Sequence, residues 1–453
     1  MLDIRRSAAR YIPQIFLSGA FVLLGWRLFV LIDQKAVNIL FWDQWDFLTP
    51  LFEGRGPWEL FNWQHGLHRM GVGYFLIQAL AEWTGWNTRA DSFAILALVI
   101  LAGLAALILK KRLFGSLSAW DVLIPLIFLT ASQYEIFIGT PDESAGAFPL
   151  LLVVLLCLAW TIDPPAVRLP AVLGLNLLTI FTGYGFIAAP ITVALFAGQL
   201  FADVRVRPRS QAWISGVGLL GSLGSIAWFM NGYIFFPNTG CAGVRPSDLV
   251  RFPLFSGVMF ARFIGLDFTI LRWPTIILGM ILLSIFTGML GFLIYKVIVR
   301  RVSNGKTWRS IIFLAGFSLL FSLSAAVGRF CMGMASAQAS RYMTLLIPAF
   351  LGLYFFLLAI PKPGLRHLSV GVLAAAVLCA QLPYGSNDLR IIHFYSVEKE
   401  NWKTCYLTYE NIELCNQRTN FQIYPTNDAR LQSRLDYLKQ NRINLYLDDP
   451  ASR

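Results

Sequence analysis

The sequence predicts an all-α polytopic membrane protein, and three observations carry that expectation. Its 453 residues are 57% hydrophobic and only 14% charged, with a mean hydropathy of +0.61, so no water-facing surface can be assembled from them. The apolar runs have about the length that crosses roughly 30 Å of hydrocarbon as a helix. They also lack the period-2 alternation of a membrane barrel. Only helices and closed barrels satisfy their backbone polar groups in hydrocarbon, which leaves a helical bundle.

Spans are expected at residues 13–32, 89–109, 118–138, 144–161, 169–182, 185–202, 211–234, 273–295, 309–327, 342–360 and 367–383, about eleven crossings in all. Basic residues orient them. With the N-terminus cytoplasmic, the inward connections carry Arg5, Arg6 and Arg10, then Lys110, Lys111 and Arg112, then Arg205, Arg207 and Arg209, then Lys296, Arg300, Arg301, Lys306 and Arg309, and finally Lys362 and Arg366. That is the positive-inside pattern. Of the acidic residues only Asp3, Asp121, Asp163 and Asp203 fall on the inner side. The net charge of +12 is therefore a topology signal that calls for no nucleic-acid partner.

Residues 70–86 are apolar enough to span, yet a crossing there would move Lys110, Lys111 and Arg112 outside. They are expected to lie along the outer interface, where Trp83 and Trp86 suit the headgroup level. The first apolar run is too long for a secretory h-region and no small-residue cleavage site follows, so a retained anchor is expected.

Two parts follow from this layout. Residues 1–383 form the transmembrane domain, whose first external loop, 33–88, carries interfacial helices. Residues 384–453 are less apolar and predict a small external α/β domain. In it, leucines at 431, 435 and 438 mark a helix after Pro425-Thr426-Asn427, and Ile443–Leu447 has the pattern of a short strand. Outside the membrane disulfides form, and a local Cys405–Cys415 pair is expected there. Cys157 and Cys379 fit apolar packing, and Cys241 and Cys331 are external, free or paired. No spacing marks a zinc site.

Two motifs in the first loop stand out: Asp43-Gln44-Trp45-Asp46, and His65-Gly66-Leu67-His68-Arg69. Carboxylates, histidines and an arginine crowded at a membrane interface point to chemistry on an anionic lipid-linked substrate. A second acidic group, Glu135 with Asp142 and Glu143, surrounds the outer end of the third span, with Thr140-Pro141 breaking the helix between them. Late in the chain, Gly328-Arg329 ends one span and Ser340-Arg341-Tyr342 starts the next.

In this order the motifs resemble the GT-C superfamily of integral membrane glycosyltransferases, which includes lipid A aminoarabinose transferases, protein O-mannosyltransferases and oligosaccharyltransferases. DQWD followed by WQHGLHR is similar to a bacterial branch in which an acidic-Trp motif precedes His-x-x-His-Arg, commonly with Asn-Glu between the histidines. Here Gly66 and Leu67 replace that pair, leaving His65, His68 and Arg69 matched. The resemblance covers the membrane region as architecture, but as motifs only the first loop and residues 328–342. About eleven crossings from a cytoplasmic N-terminus place the C-terminus outside, and the resemblance implies a GT-C-like bundle in a bacterial inner membrane. It also implies a polyprenyl-phosphate-linked sugar as donor, an envelope glycan or lipid as acceptor, transfer with inversion, and a first-loop carboxylate as base or metal ligand. No cofactor is certain, and a divalent metal is left open.

Such a transfer needs a base for the acceptor hydroxyl, cations or donors for the leaving phosphate, and a dry site. Asp43 matches the family's acidic position best and is the expected base. Asp46 would share its face in a helix; helix capping or loop solvation is the bland alternative for both. His65, His68 and Arg69 would lie on one helical face, presenting donors to a phosphate or two imidazoles to a metal. The competing role for them is contact with lipid headgroups. Arg329 and Arg341, with Tyr342 beside the latter, suit bidentate contact with phosphate oxygens, against ordinary interfacial anchoring. Glu135 and Asp142 are candidates for contact with substrate or metal, against loop solvation. Arg27 is expected to snorkel or to pair internally. Aromatic residues, 14% of the chain, fit interfacial belts or a prenyl groove. The alternatives to a transferase are a lipid-linked glycan flippase, which calls for polar residues along helix midplanes, and a polysaccharide polymerase or acyltransferase. The last needs an external His-Asp or Ser nucleophile constellation, and none is evident.

Overall fold

Hydrophobic runs bounded by glycine, proline and short polar clusters become helices almost throughout. A computed structural model describes residues 2–206, 209–235, 241, 248–299, 305–381, 386–425 and 429–448. Arg207, Arg300, Arg301 and the Thr426-Asn427 pair lie outside the described residues, as do the side chains of Arg5, Arg6, Arg10, Arg205 and Arg209.

The chain opens with α1 (Leu2–Lys35) and enters a loop of short helices, α2 (Gln44–Phe47), α3 (Thr49–Phe52) and α4 (Pro57–Asn62). A two-residue hairpin follows, β1 (Gln64–His65) and β2 (His68–Arg69), then α5 (Gly71–Thr84). Gly85 stops α5 in the left-handed region, at φ 67°, as C-terminal glycines do. Asn87 then caps α6 (Thr88–Phe114) by accepting from the Arg89 N–H.

The expected third span is broken. After a turn at Ala119–Val122 come α7 (Leu123–Phe128), a tight turn at Ala131–Gln133 and α8 (Glu135–Ile138). The Gln133 side chain donates to the Phe128 carbonyl at 2.7 Å, and so replaces a lost helical bond where a free carbonyl would be costly. The break turns Glu135 inward.

The bundle continues through α9 (Ala147–Trp160), α10 (Pro165–Ile180), α11 (Ala188–Val206), α12 (Arg209–Met230), α13 (Arg251–Phe263), α14 (Arg272–Val299), α15 (Gly305–Arg329), α16 (Met343–Leu358) and α17 (Pro363–Ala380). α13 and α14 meet at Gly257 and Gly279, where a Cβ on Gly279 would sit within van der Waals overlap of the Gly257 carbonyl. Small residues permit that backbone approach. Among the described residues eight segments are long and apolar enough to cross a membrane: Pro13–Lys35, Thr88–Phe114, Gly183–Val204, Gln211–Met230, Arg272–Val297, Gly305–Met332, Ser340–Leu358 and Pro363–Ala380. Three shorter apolar segments, Ala119–Gln133, Ala147–Trp160 and Pro165–Ile180, lie where further crossings were expected. The protein is an all-α polytopic membrane protein. Arg27 pairs internally, donating to the Leu129 carbonyl at 3.1 Å and to Gln381.

The tail corrects the expected α/β domain. It consists of α18 (Ser386–His393), a π-helical turn at Phe394–Glu398, α19 (Lys399–Tyr409), α20 (Ile412–Thr419) and α21 (Ala429–Asn441). Ile443–Leu447 is no strand; Asn444–Asp448 is a 3-10 turn. Buried Asn444 explains this, since its side chain donates to the Trp86 carbonyl at 2.7 Å and accepts from the Leu40 N–H at 3.3 Å. Nor does the tail build its core alone. Trp402, Tyr406, Leu431 and Leu435 pack in one cluster with Phe41, Trp45, Phe47 and Tyr74 of the first loop and α5. Two disulfides brace this side of the molecule, Cys405–Cys415 and Cys241–Cys331, the latter 90 positions apart in sequence. Cys157 is buried and free, and Cys379 is exposed and free.

Candidate functional site

The site starts at Gln44. Its amide accepts from the Phe41 N–H at 3.0 Å and donates to the Pro141 carbonyl at 3.1 Å, which pins the first loop onto the segment after α8. Asp43 stands at the head of α2 without capping it. Its exposed carboxylate makes no side-chain hydrogen bond or ion pair among the described residues.

That carboxylate opens onto a cavity of about 670 Å³, within the size range of small-molecule sites. The membrane-domain side of the cavity is lined by Trp42, Asp43, Glu135, Arg329, Met332 and Arg341. Glu135 and Arg341, 206 positions apart, form an ion pair at 2.9 Å, and the Arg341 backbone N–H donates to the second carboxylate oxygen at 3.2 Å. Ser340 fixes the geometry: its hydroxyl donates to the Ser132 carbonyl at 2.7 Å and accepts from the Glu135 N–H at 3.0 Å. Glu135 is thus held as a partner, with 12% of its side chain exposed against 47% for Arg341. Arg329 differs. Its guanidinium touches the Met332 sulfur at 3.5 Å and has no carboxylate partner among the described residues. The Cys241–Cys331 disulfide anchors the backbone two residues away.

Other candidates fall elsewhere. His65, His68 and Arg69 do not share a helical face: Gly66 and Leu67 form the turn of a hairpin in which His65 pairs with His68, and none of the three lines the cavity. Arg69 is buried and donates to Asn62 at 2.9 Å and to the Asn231 carbonyl, so it ties the loop to α12. His68 packs against Tyr184, ring centroids 4.2 Å apart. Burial, with the charges of His65 and Arg329 nearby, holds its pKa down to about 3. A neutral imidazole is a poor phosphate clamp. His65 packs edge-on against Phe47.

Asp46 also lies off the cavity. Tyr424 donates to it at 2.8 Å, and Arg434 bonds the neighbouring Trp45 carbonyl and Thr49, so this half of the motif docks the tail. Tyr342 is buried, 6.0 Å from the Phe321 ring, and supports Arg341 from the core. Asp142 sits beside the cavity rather than in its lining. Burial pushes its carboxyl up to about 7 against hydrogen bonds from the Ala145 and Ser144 N–H groups, and Asp43 nearby adds to the rise. Among the described residues no group of three or more His, Cys, Asp or Glu side chains is arranged to hold a metal ion.

The sequence reading missed the opposite wall. It comes from the tail: Phe394, Tyr395, Asn416, Asn420, Phe421 and Gln422. It also missed Lys399, buried behind that wall. The Lys399 ammonium donates to the carbonyls of Ile138 at 3.0 Å and of Gly139, and lies over the rings of Phe41 and Tyr395. It closes the end of α8, and burial lowers its pKa to about 7. The signal was present, because Lys399, Trp402, Lys403 and Tyr406 repeat at helical spacing on one buried face.

No protein-family model matches the chain, and comparison with curated proteins and with solved structures gives no match.

Proposed function

We propose that the protein is a membrane glycosyltransferase that moves a sugar from a polyprenyl-phosphate carrier to an envelope glycan or lipid hydroxyl. One observation carries the reading: Asp43 and Arg329, a carboxylate and a guanidinium without partners of opposite charge among the described residues, line one cavity together with the Glu135–Arg341 pair. Asp43 takes the proton of the acceptor hydroxyl, whose oxygen attacks the anomeric carbon as the bond from that carbon to the phosphate oxygen breaks. The electron pair leaves with the phosphate, and the configuration inverts. Arg329 and the exposed part of Arg341 hold the growing negative charge, with two-pronged contacts that a lysine cannot copy. Glu135 orients Arg341.

Aromatic rings around the opening limit water, which favours transfer over hydrolysis. The same interfacial position of the charges supports an enzyme over a flippase, which needs its polar residues along the transport path. Localisation in a bacterial inner membrane, with the cavity on the external face, belongs to the same proposal.

The test is transfer in reconstituted vesicles, with the acceptor fraction taken from a deletion strain whose missing glycan is identified by mass. Asp43→Asn keeps size and hydrogen bonding but removes the base, so transfer should fall about 10²-fold or more while the folded protein persists. Near-normal transfer by this variant removes Asp43 as the base.

A further inference from the structure

The two walls of the cavity differ in chemistry. All four charged lining residues, Asp43, Glu135, Arg329 and Arg341, come from the membrane-domain side, whereas the tail contributes three amides and three rings and no charge. Of the amides, Asn416 accepts from the Trp402 indole at 2.7 Å. Asn420 and Gln422 are exposed, with no hydrogen-bond partner among the described residues. Asn420 ends α20 in the left-handed region, at φ 50°.

The rings form one connected group. Phe41 stacks on Phe421 with centroids 5.4 Å apart, Phe394 meets Phe421 at 5.1 Å, and Trp42 joins Phe41 at 6.0 Å. Most of Phe421 is sealed inside, at 3% exposure, but Trp42 and Phe394 keep 47% and 44% of their surface open. Trp42 has φ 50°, a left-handed conformation that a bulky side chain rarely adopts. Its backbone N–H donates to the Ile423 carbonyl at 2.8 Å and holds it there. Phe394 stands on the π-helical turn, a rare distortion that frequently marks a functional site.

Open rings beside free amides suit a neutral polyhydroxylated ring: amides donate to and accept from hydroxyls, and aromatic faces cover its apolar C–H surface. A carboxylate on that sugar would meet no cation among the described residues that line the tail wall. Lys399 lies behind the Phe41 and Tyr395 rings and is committed to backbone carbonyls, and Arg418 is stacked over Tyr409. Burying an unpaired charge there is unfavourable. We infer that the tail wall, through Asn420, Gln422 and Phe394, together with the Trp42 ring that faces it from the first loop, is the sugar subsite of the cavity and selects an uncharged glycosyl group. This rests on the phosphate reading of the opposite wall.

The test uses the full chain in lipid nanodiscs and three probes: a polyprenyl phosphate, neutral polyprenyl-phosphohexoses (glucosyl, mannosyl and galactosyl), and the corresponding polyprenyl-phosphouronate. At least one neutral hexose should bind about 10-fold or more tighter than the bare phosphate, and the uronate no tighter than the bare phosphate. The Asn420→Gly/Gln422→Ala double variant removes exposed side chains, and glycine keeps the left-handed backbone at position 420, so the fold should stand. It should cut the hexose advantage to about 2-fold and leave binding of the bare phosphate unchanged. Equal binding of bare and sugared phosphates, uronate binding as tight as hexose, or an undiminished hexose advantage in the variant overturns the sugar subsite and leaves the phosphate reading intact. Binding of none of the probes overturns both.

Discussion

Arg69 and Arg329 are both arginines beside the first loop and its neighbours, and both were candidates for a phosphate, yet the fold uses them in opposite ways. Arg69 is sealed, with its two terminal guanidinium nitrogens bonded to Asn62 and the Asn231 carbonyl. Arg329 stays open on a cavity wall with only a sulfur contact. What separates a binding arginine from a structural one here is access, because a guanidinium buried on protein acceptors cannot turn to a ligand and an open one can.

That contrast makes two substitutions diverge. Arg329→Ala should weaken binding of a polyprenyl phosphate by about 10-fold or more while the melting temperature stays near that of the parent. Arg69→Ala should do the reverse, costing about 2 kcal/mol or more of stability through the stranded Asn231 carbonyl and Asn62, with binding by the surviving folded fraction little changed. Thermal melts and lipid titrations on the two variants check this; parallel behaviour of the pair would break the distinction.

A finer comparison sets Asp43 against its neighbour Asp142. The Asp142 carboxyl is held at about 7 by burial and then by Asp43, above the ordinary aspartate value near 3.9. Its raised value means that the folded state keeps a proton that the unfolded chain gives up. Stability from this group is therefore intact below about pH 4, declines between about pH 4 and 7, and levels off above. Asp142→Asn should remove that decline, raising the melting temperature at pH 8 relative to the parent by a few degrees more than at pH 4.5. An equal shift at both pH values would show that Asp142 is not desolvated as described. His68, held down to about 3, works in the opposite direction: the unfolded chain takes up a proton near pH 6.5 that the folded state refuses, so stability from this group is complete above about pH 6.5 and declines as the pH falls towards 3.

Much of the charged wall was legible because it lies near span ends, where hydropathy places residues within a turn or two. Asp43, Arg329 and Arg341 are all of this kind. The tail wall was not legible. Its contacts with the first loop, such as Tyr424 to Asp46 across 378 positions, leave no trace in local periodicity. Residues 65–69 misled for another reason: spacings of three and four over so short a stretch fit a helix, while Gly66, in the left-handed region at φ 58°, supplies the two-residue hairpin turn that the Gly-Leu pair signalled. Ile443–Leu447 alternates like a strand, but no partner strand is at hand among the described residues and Asn444 is spent on the loop.

The central claim is that a lipid-linked anion sits in the cavity between Asp43 and the two arginines. A photoreactive polyprenyl phosphate, carrying its reactive group next to the phosphate and crosslinked in native membranes, tests it by peptide mapping. The account predicts adducts in the segments that bear Trp42–Asp43 and Arg329–Arg341, competed away by unlabelled polyprenyl phosphate and lost in Arg329→Ala. Adducts concentrated instead on the His65–Arg69 hairpin, or spread over lipid-facing helices and insensitive to competition, would contradict it.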